Sequence, residues 1–151
     1  MRSIFNLLCC YFFVAVSLTV AEEVAPITPR IIDFGIYSPD TENPDLLNQT
    51  DQIPAIVGTV FGARIMFDSQ STSAYSFRWA FPEMQNPEDG RIWTEMSGSV
   101  DLSGGPLHPV LARINHAWEA VSGDWTVQIL DGDDVVVEKV FRVSASPVKD
   151  N

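Results

Sequence analysis

Within SGDWTVQILDGDDVVVEKVFRV, residues 122 to 143, Asp131-Gly132-Asp133-Asp134 gathers three carboxylates around one glycine. A calcium loop needs about six to eight oxygens converging on one ion, and its helix-flanked form spaces the acids at alternate positions with a glutamate further on. Here strand-like runs flank the cluster and no glutamate stands at that distance. The pattern predicts a hairpin bend in which Asp131-Gly132 supplies the positive φ and the acids stay solvated. No metal site is assigned; a weak cation site shared with a neighbouring loop is the alternative reading.

Other chemistries find fewer groups. The chain holds two histidines, His108 and His116, whereas a zinc site takes several His, Cys or carboxylate ligands and a nucleophilic triad needs a histidine beside a placed serine and acid. His108 is expected in a loop and His116 in a strand or loop, both structural. No serine elbow, HExxH or phosphate loop occurs. Glycoside hydrolysis needs two acids about 5 to 10 Å apart in a cleft; Glu83, Glu88, Asp89 and Glu95 bracket one expected hairpin and read as solvated charges that also discourage edge pairing. No catalytic residue and no cofactor is assigned.

Four tryptophans in so short a chain raise the possibility of stacking on sugars or anchoring an interface. Trp79 and Trp125 fall on apolar strand faces and are expected in the core. Trp93 and Trp118 are assigned to neither core nor surface; Trp93, out of phase with Ile92 and Met96, is the first candidate ligand-binding residue.

The elements that must position these groups are strands. Tyr75, Phe77, Trp79 and Phe81 alternate with small or charged residues; Phe61, Ala63, Ile65 and Phe67 alternate with Gly62, Arg64, Met66 and Asp68, a period of two that buries one face. Trp125, Val127 and Ile129 form a third run. In a fourth, Val135 to Val143, the phase changes between Val136 and Phe141, so a bulge is expected near Glu138-Lys139. Weaker candidates are Arg30 to Ile36, Arg91 to Ser97 and Val110 to Trp118. Turn residues such as Asn86-Pro87-Glu88-Asp89-Gly90 and Ser103-Gly104-Gly105-Pro106 separate them, and Ser38 to Ile53 reads as a long surface loop. Seven or eight short strands without an amphipathic helix predict an all-β, antiparallel β-sandwich of immunoglobulin-like size; a small closed barrel is the runner-up.

The ends set the compartment. One basic residue, Arg2, precedes an apolar run from Ile4 to Val20 and the small residues Thr19-Val20-Ala21, the pattern of a cleaved secretory signal; a retained anchor is the alternative, since ~18 apolar residues approach the length of a bilayer span. The expected organisation is signal 1–21, linker 22–30, β-sandwich 31–144 and flexible tail 145–151. Both cysteines, Cys9 and Cys10, leave with the signal, so the exported domain must hold itself together by its core. The formal net charge is −11, and removing Arg2 makes it one unit more negative. Such a surface repels nucleic acid and anionic lipid.

Several short motifs in order carry a family resemblance. They are Asp33-Phe34-Gly35-Ile36-Tyr37, Thr50-Asp51-Gln52-Ile53-Pro54 leading to Gly58-Thr59-Val60-Phe61-Gly62, Asn86-Pro87 with Gly90, Trp118-Glu119 before Gly123-Asp124-Trp125-Thr126, and Glu138-Lys139-Val140-Phe141-Arg142-Val143. Together they resemble the bacterial domain of unknown function 3859 from about Ile31 to Val143. The resemblance implies a single, often exported domain without an assigned activity, so it supplies no site residue. The resulting expectation is a periplasmic or secreted, non-catalytic binding or interaction module with a protein or glycan partner in the cell envelope. It would touch neither nucleic acid nor, once cleaved, the membrane. A carboxylate-dependent hydrolase of envelope glycans is the alternative.

Overall fold

Residues 29–40, 43–68 and 72–145 are described by the structure, a computed structural model. The expected signal and most of the expected tail lie outside them. Nine strands follow one another: β1 (Arg30–Tyr37), β2 (Leu46–Asn48), β3 (Gln52–Pro54), β4 (Val60–Met66), β5 (Tyr75–Gln85), β6 (Ile92–Ser99), β7 (Leu107–Arg113), β8 (Gly123–Asp131) and β9 (Asp134–Ser144). They form two sheets, ordered β2-β1-β4-β7 and β3-β9-β8-β5-β6. All pairings are antiparallel except β3 with β9, which is parallel. The expected β-sandwich is present. No helix among the described residues is long and apolar enough to cross a membrane.

Period-two alternation dictates which faces meet. Phe61, Ala63 and Ile65 of β4, Trp79 of β5, Trp125, Val127 and Ile129 of β8, and Phe141 and Val143 of β9 are all buried between the sheets. Phe61 is the hub: its ring meets those of Trp125, Trp79 and Phe141 edge-on at 5.4, 5.6 and 5.6 Å, the geometry the ring quadrupole favours. The opposite face of the five-stranded sheet is polar. Arg78 donates from Nε and Nη2 to Gln128 Oε1 at 3.0 and 2.6 Å, and Gln128 donates to Glu138 at 2.6 Å, a ladder across three neighbouring strands.

Several sequence expectations change. The β9 bulge is at Val136, not near Glu138-Lys139: Leu130 pairs with Val135 and Ile129 with Val137. The two-residue turn fixes the register from its own end, so the extra residue falls early in the strand, and both Val136 and Val137 pack on the core. Ser38 to Ile53 is not one open loop. Its chain returns through Ser38 N–H to the Asp45 carbonyl (2.8 Å) and adds β2 to the edge of β1, and Ile53 is 1% exposed. The run from Val110 to Trp118 is a strand only to Arg113; Ala117–Glu119 is a short 3-10 turn. His108 belongs to β7 rather than a loop. Its Nε2 lies 2.9 Å from the Gly105 carbonyl, and its ring meets Phe67 edge-on at 5.9 Å.

Gly35 and Gly62 face each other across β1 and β4. A Cβ on Gly35 would lie 2.0 Å from the Asn48 carbonyl oxygen, and one on Gly62 would lie 2.3 Å from that of Val110. At each site a neighbouring backbone occupies the space of a side chain.

Candidate functional site

The DGDD cluster is the bend of the β8–β9 hairpin. Asp131 pairs with Asp134, Gly132 and Asp133 form the turn, and Gly132 carries φ 62, as the first position of a type II′ turn requires. The Ser73 hydroxyl donates to Asp131 at 3.0 Å. Among the described residues no three His, Cys, Asp or Glu side chains converge on a possible ion position.

The place where the sandwich opens is instead made by a fault in the β5–β6 ladder. Trp79 pairs with Met96 and Ala80 with Glu95, but the next pairs are Met84 with Trp93 and Gln85 with Ile92. The fault falls on Phe81-Pro82-Glu83, where Pro82 has no N–H to give a ladder. It re-aims the end of the hairpin. Met84 becomes buried at 5% exposure, and Trp93, although out of phase with Met96, joins it on the inner side.

The result is a cleft of about 210 Å³ between the β5–β6 hairpin and the end of β7. The β5–β6 hairpin lines it with Phe81, Met84, Trp93 and Met96, β8 with Trp125, the end of β7 with Arg113, and the 3-10 turn that follows with Trp118. Trp93 is 40% exposed and Met96 39%. Arg91 lies over the Trp93 ring at 5.7 Å, close enough for a cation–π contact.

The Trp118 wall is built by a capping box. Glu119 Oε2 accepts from the backbone N–H groups of Asn115 (2.6 Å) and His116 (3.3 Å), satisfying donors that the 3-10 turn leaves open. The His116 imidazole stacks on the Trp118 indole at 5.7 Å with only 6° between the planes. Phe81, expected only as a core aromatic, and Trp118, whose place the sequence left open, thus belong to the site. Pro82 inside an alternating run and a glutamate three residues after His116 were the signals for them.

Glu119 is the one carboxylate in this lining, and one of its oxygens is already committed to the backbone. Glu83, Glu88, Asp89 and Glu95 are exposed along the hairpin and do not enter the cleft. Two groups with clearly displaced ionisation, Asp33, held down by its hydrogen bonds from Arg64, and Tyr37, pushed up by burial and by Asp33, lie on β1 and not in this lining. The arrangement can hold an apolar or aromatic group, and it offers no pair of acids for hydrolysis.

Known proteins place this architecture. A family model described as a domain of unknown function (DUF3859) matches residues 28–143. The crystal structure of an immunoglobulin-like protein from Pseudomonas aeruginosa is similar at a TM-score of 0.66 and 23% identity, covering 80% of this chain and 99% of that one; that likeness is one of fold. No curated protein matches the chain.

Proposed function

The chain belongs to the DUF3859 family, and we propose that it is an exported, non-catalytic binding module whose Trp93–Trp118 cleft receives an apolar or aromatic group of a partner in the cell envelope. The observation that carries this reading is the cleft's lining: three tryptophans, a phenylalanine and two methionines, with Arg113, Asn115 and the already engaged Glu119 as its polar members. Exposed aromatic side chains beside a partly formed pocket are what binding hot spots are made of. Export rests on the apolar N-terminal run and its small-residue exit. A glycan hydrolase would need a second acid facing the first across the cleft, and nothing in the lining supports one.

The test is capture of envelope components by the tagged domain, compared with its Trp93→Ala variant. A component retained by the wild type and lost from the variant supports the reading; equal retention by both overturns it. A periplasm-dependent reporter fused after residue 30 tests export, and an inactive fusion would refute it.

A further inference from the structure

The two sheets present four edges, and three of them are blunted. β2 and β3 are three residues long and β3 ends in Pro54, while β7 carries Pro109 within its length. The fourth, β6, runs eight residues with no proline and no lysine, and Glu95 is its single charge. An edge of that kind is a template for another strand.

The backbone says which groups are offered. Val100 N–H donates to the Tyr75 carbonyl at 2.9 Å, and the register continues unbroken from there through Ser99, Gly98, Ser97 and Met96 to Glu95. In an antiparallel ladder bonded and non-bonded pairs alternate. The amides of Gly98 and Met96 therefore turn toward β5, and those of Ser99, Ser97 and Glu95 turn away from it. No described strand lies on that side.

The same strand furnishes Trp93 and Met96 to the cleft. A strand laid along this edge would direct every second side chain to the cleft side. The hairpin around it is acidic: Glu83, Glu88, Asp89 and Glu95 outnumber Arg91, which lies 4.0 Å from Asp89. We propose that β6 takes up an extended segment of a partner protein as a further strand of the sheet. An apolar side chain of that segment sits in the Trp93–Trp118 cleft, and lysine or arginine residues flank it. The proposal rests on the cleft reading above and adds the partner's chemistry and its mode of attachment.

The probe is a short synthetic peptide of alternating threonine and valine with a central phenylalanine and a lysine at each end, titrated into the full domain. Expected are slowed hydrogen exchange at Glu95, Ser97 and Ser99 and binding at least about tenfold weaker for both Trp93→Ala and Ser97→Pro. Proline at Ser97 removes an outward amide while leaving the β5–β6 bonds in place, and an unchanged circular dichroism spectrum checks that. Should that variant not fold, exchange protection in the wild type alone decides. If Ser97→Pro binds like the wild type while Trp93→Ala does not, strand addition is overturned and the cleft reading stands; if neither variant differs from the wild type, both fall. No binding by the wild type, or equal binding when glutamates replace the lysines, overturns the proposal, as does self-association of the free domain that Ser97→Pro abolishes, because the occupant would then be a second copy.

Discussion

Arg64 on β4 grips Asp33 on β1 across the sheet. Its Nε donates to the two carboxylate oxygens at 2.8 and 3.0 Å and its Nη2 to Oδ2, while the Tyr37 hydroxyl donates to Oδ1 at 2.6 Å. The Arg64 hydrogen bonds hold the Asp33 carboxyl below the usual carboxylate range; burial opposes this and the Tyr37 bond adds to it. Burial, followed by the bond to Asp33, pushes the Tyr37 phenol up.

These shifts predict a stability profile with two limbs. The Asp33 contribution is complete above its unfolded value, near about 4, and is lost as pH falls through the lower folded value. The Tyr37 contribution is complete below about 10 and is lost as pH rises through the higher folded value. Urea midpoints measured across pH should show Asp33→Asn flattening the acid limb and Tyr37→Phe the alkaline one. At neutral pH Arg64→Met should cost about 1.5–3 kcal/mol, because a part-buried carboxylate loses the charged donor of its hydrogen bonds. An acid limb unchanged in Asp33→Asn would refute the assignment.

Gly35→Ala should be among the most damaging single-methyl additions. The new Cβ would meet the Asn48 carbonyl at 2.0 Å from a backbone with φ 146, so β2 must detach or β1 must rotate. A loss of roughly 3 kcal/mol is expected. Exchange at Leu46–Asn48 should rise together with the fall in melting temperature; a variant as stable as the wild type would show that β2 does not press on β1.

Much of the fold was legible because its central strands bury one face only, as the runs at Phe61–Phe67, Tyr75–Phe81 and Trp125–Ile129 show. β2 and β3 were not. A three-residue strand has no period to read, and these two are held by the edges they join. Trp93 stood out as an aromatic residue off the phase of its own strand. Trp118 did not, because an apolar residue after a strand reads as its continuation until the Glu119 cap is recognised. The parallel pairing of β3 with β9 depends on long-range closure, which no local pattern encodes.

The Glu119 cap offers a third test. Glu119→Ala leaves the Asn115 and His116 amides without their acceptor and should cost about 1 kcal/mol. The larger effect is local, since the turn carries Trp118. Exchange at residues 115–119 should speed up, and binding through the cleft should weaken, while β8 and β9 keep their protection. Equal loosening throughout the sheet would mean that the cap supports the fold as a whole.

Calcium gives a fourth. With Asp131 and Asp134 paired as the last rungs of the hairpin and Gly132-Asp133 as its turn, the acids have no convergent geometry to gain from an ion. Melting temperatures in millimolar calcium and in chelator should coincide, and Asp133→Asn should be neutral within about 0.5 kcal/mol. A calcium-dependent rise abolished by Asp133→Asn would restore the metal reading of this turn.

Trp79 and Trp125 make the last comparison, because burial and hydrogen bonding rank them in opposite orders. Trp79 is 0% exposed and Trp125 3%, so area would make Trp79 the costlier residue to trim. Their polar atoms argue the other way. The Trp125 indole N–H donates to the Val121 carbonyl at 3.3 Å, whereas the buried Trp79 Nε1 meets no acceptor among the described residues. A buried donor without an acceptor carries a penalty of about 1–3 kcal/mol, and phenylalanine removes the donor while keeping a ring against Phe61. Trp79→Phe should therefore be less destabilising than Trp125→Phe, by about 1 kcal/mol or more in urea unfolding. The opposite ranking would mean that an ordered water or the ring faces around Trp79 already satisfy its N–H.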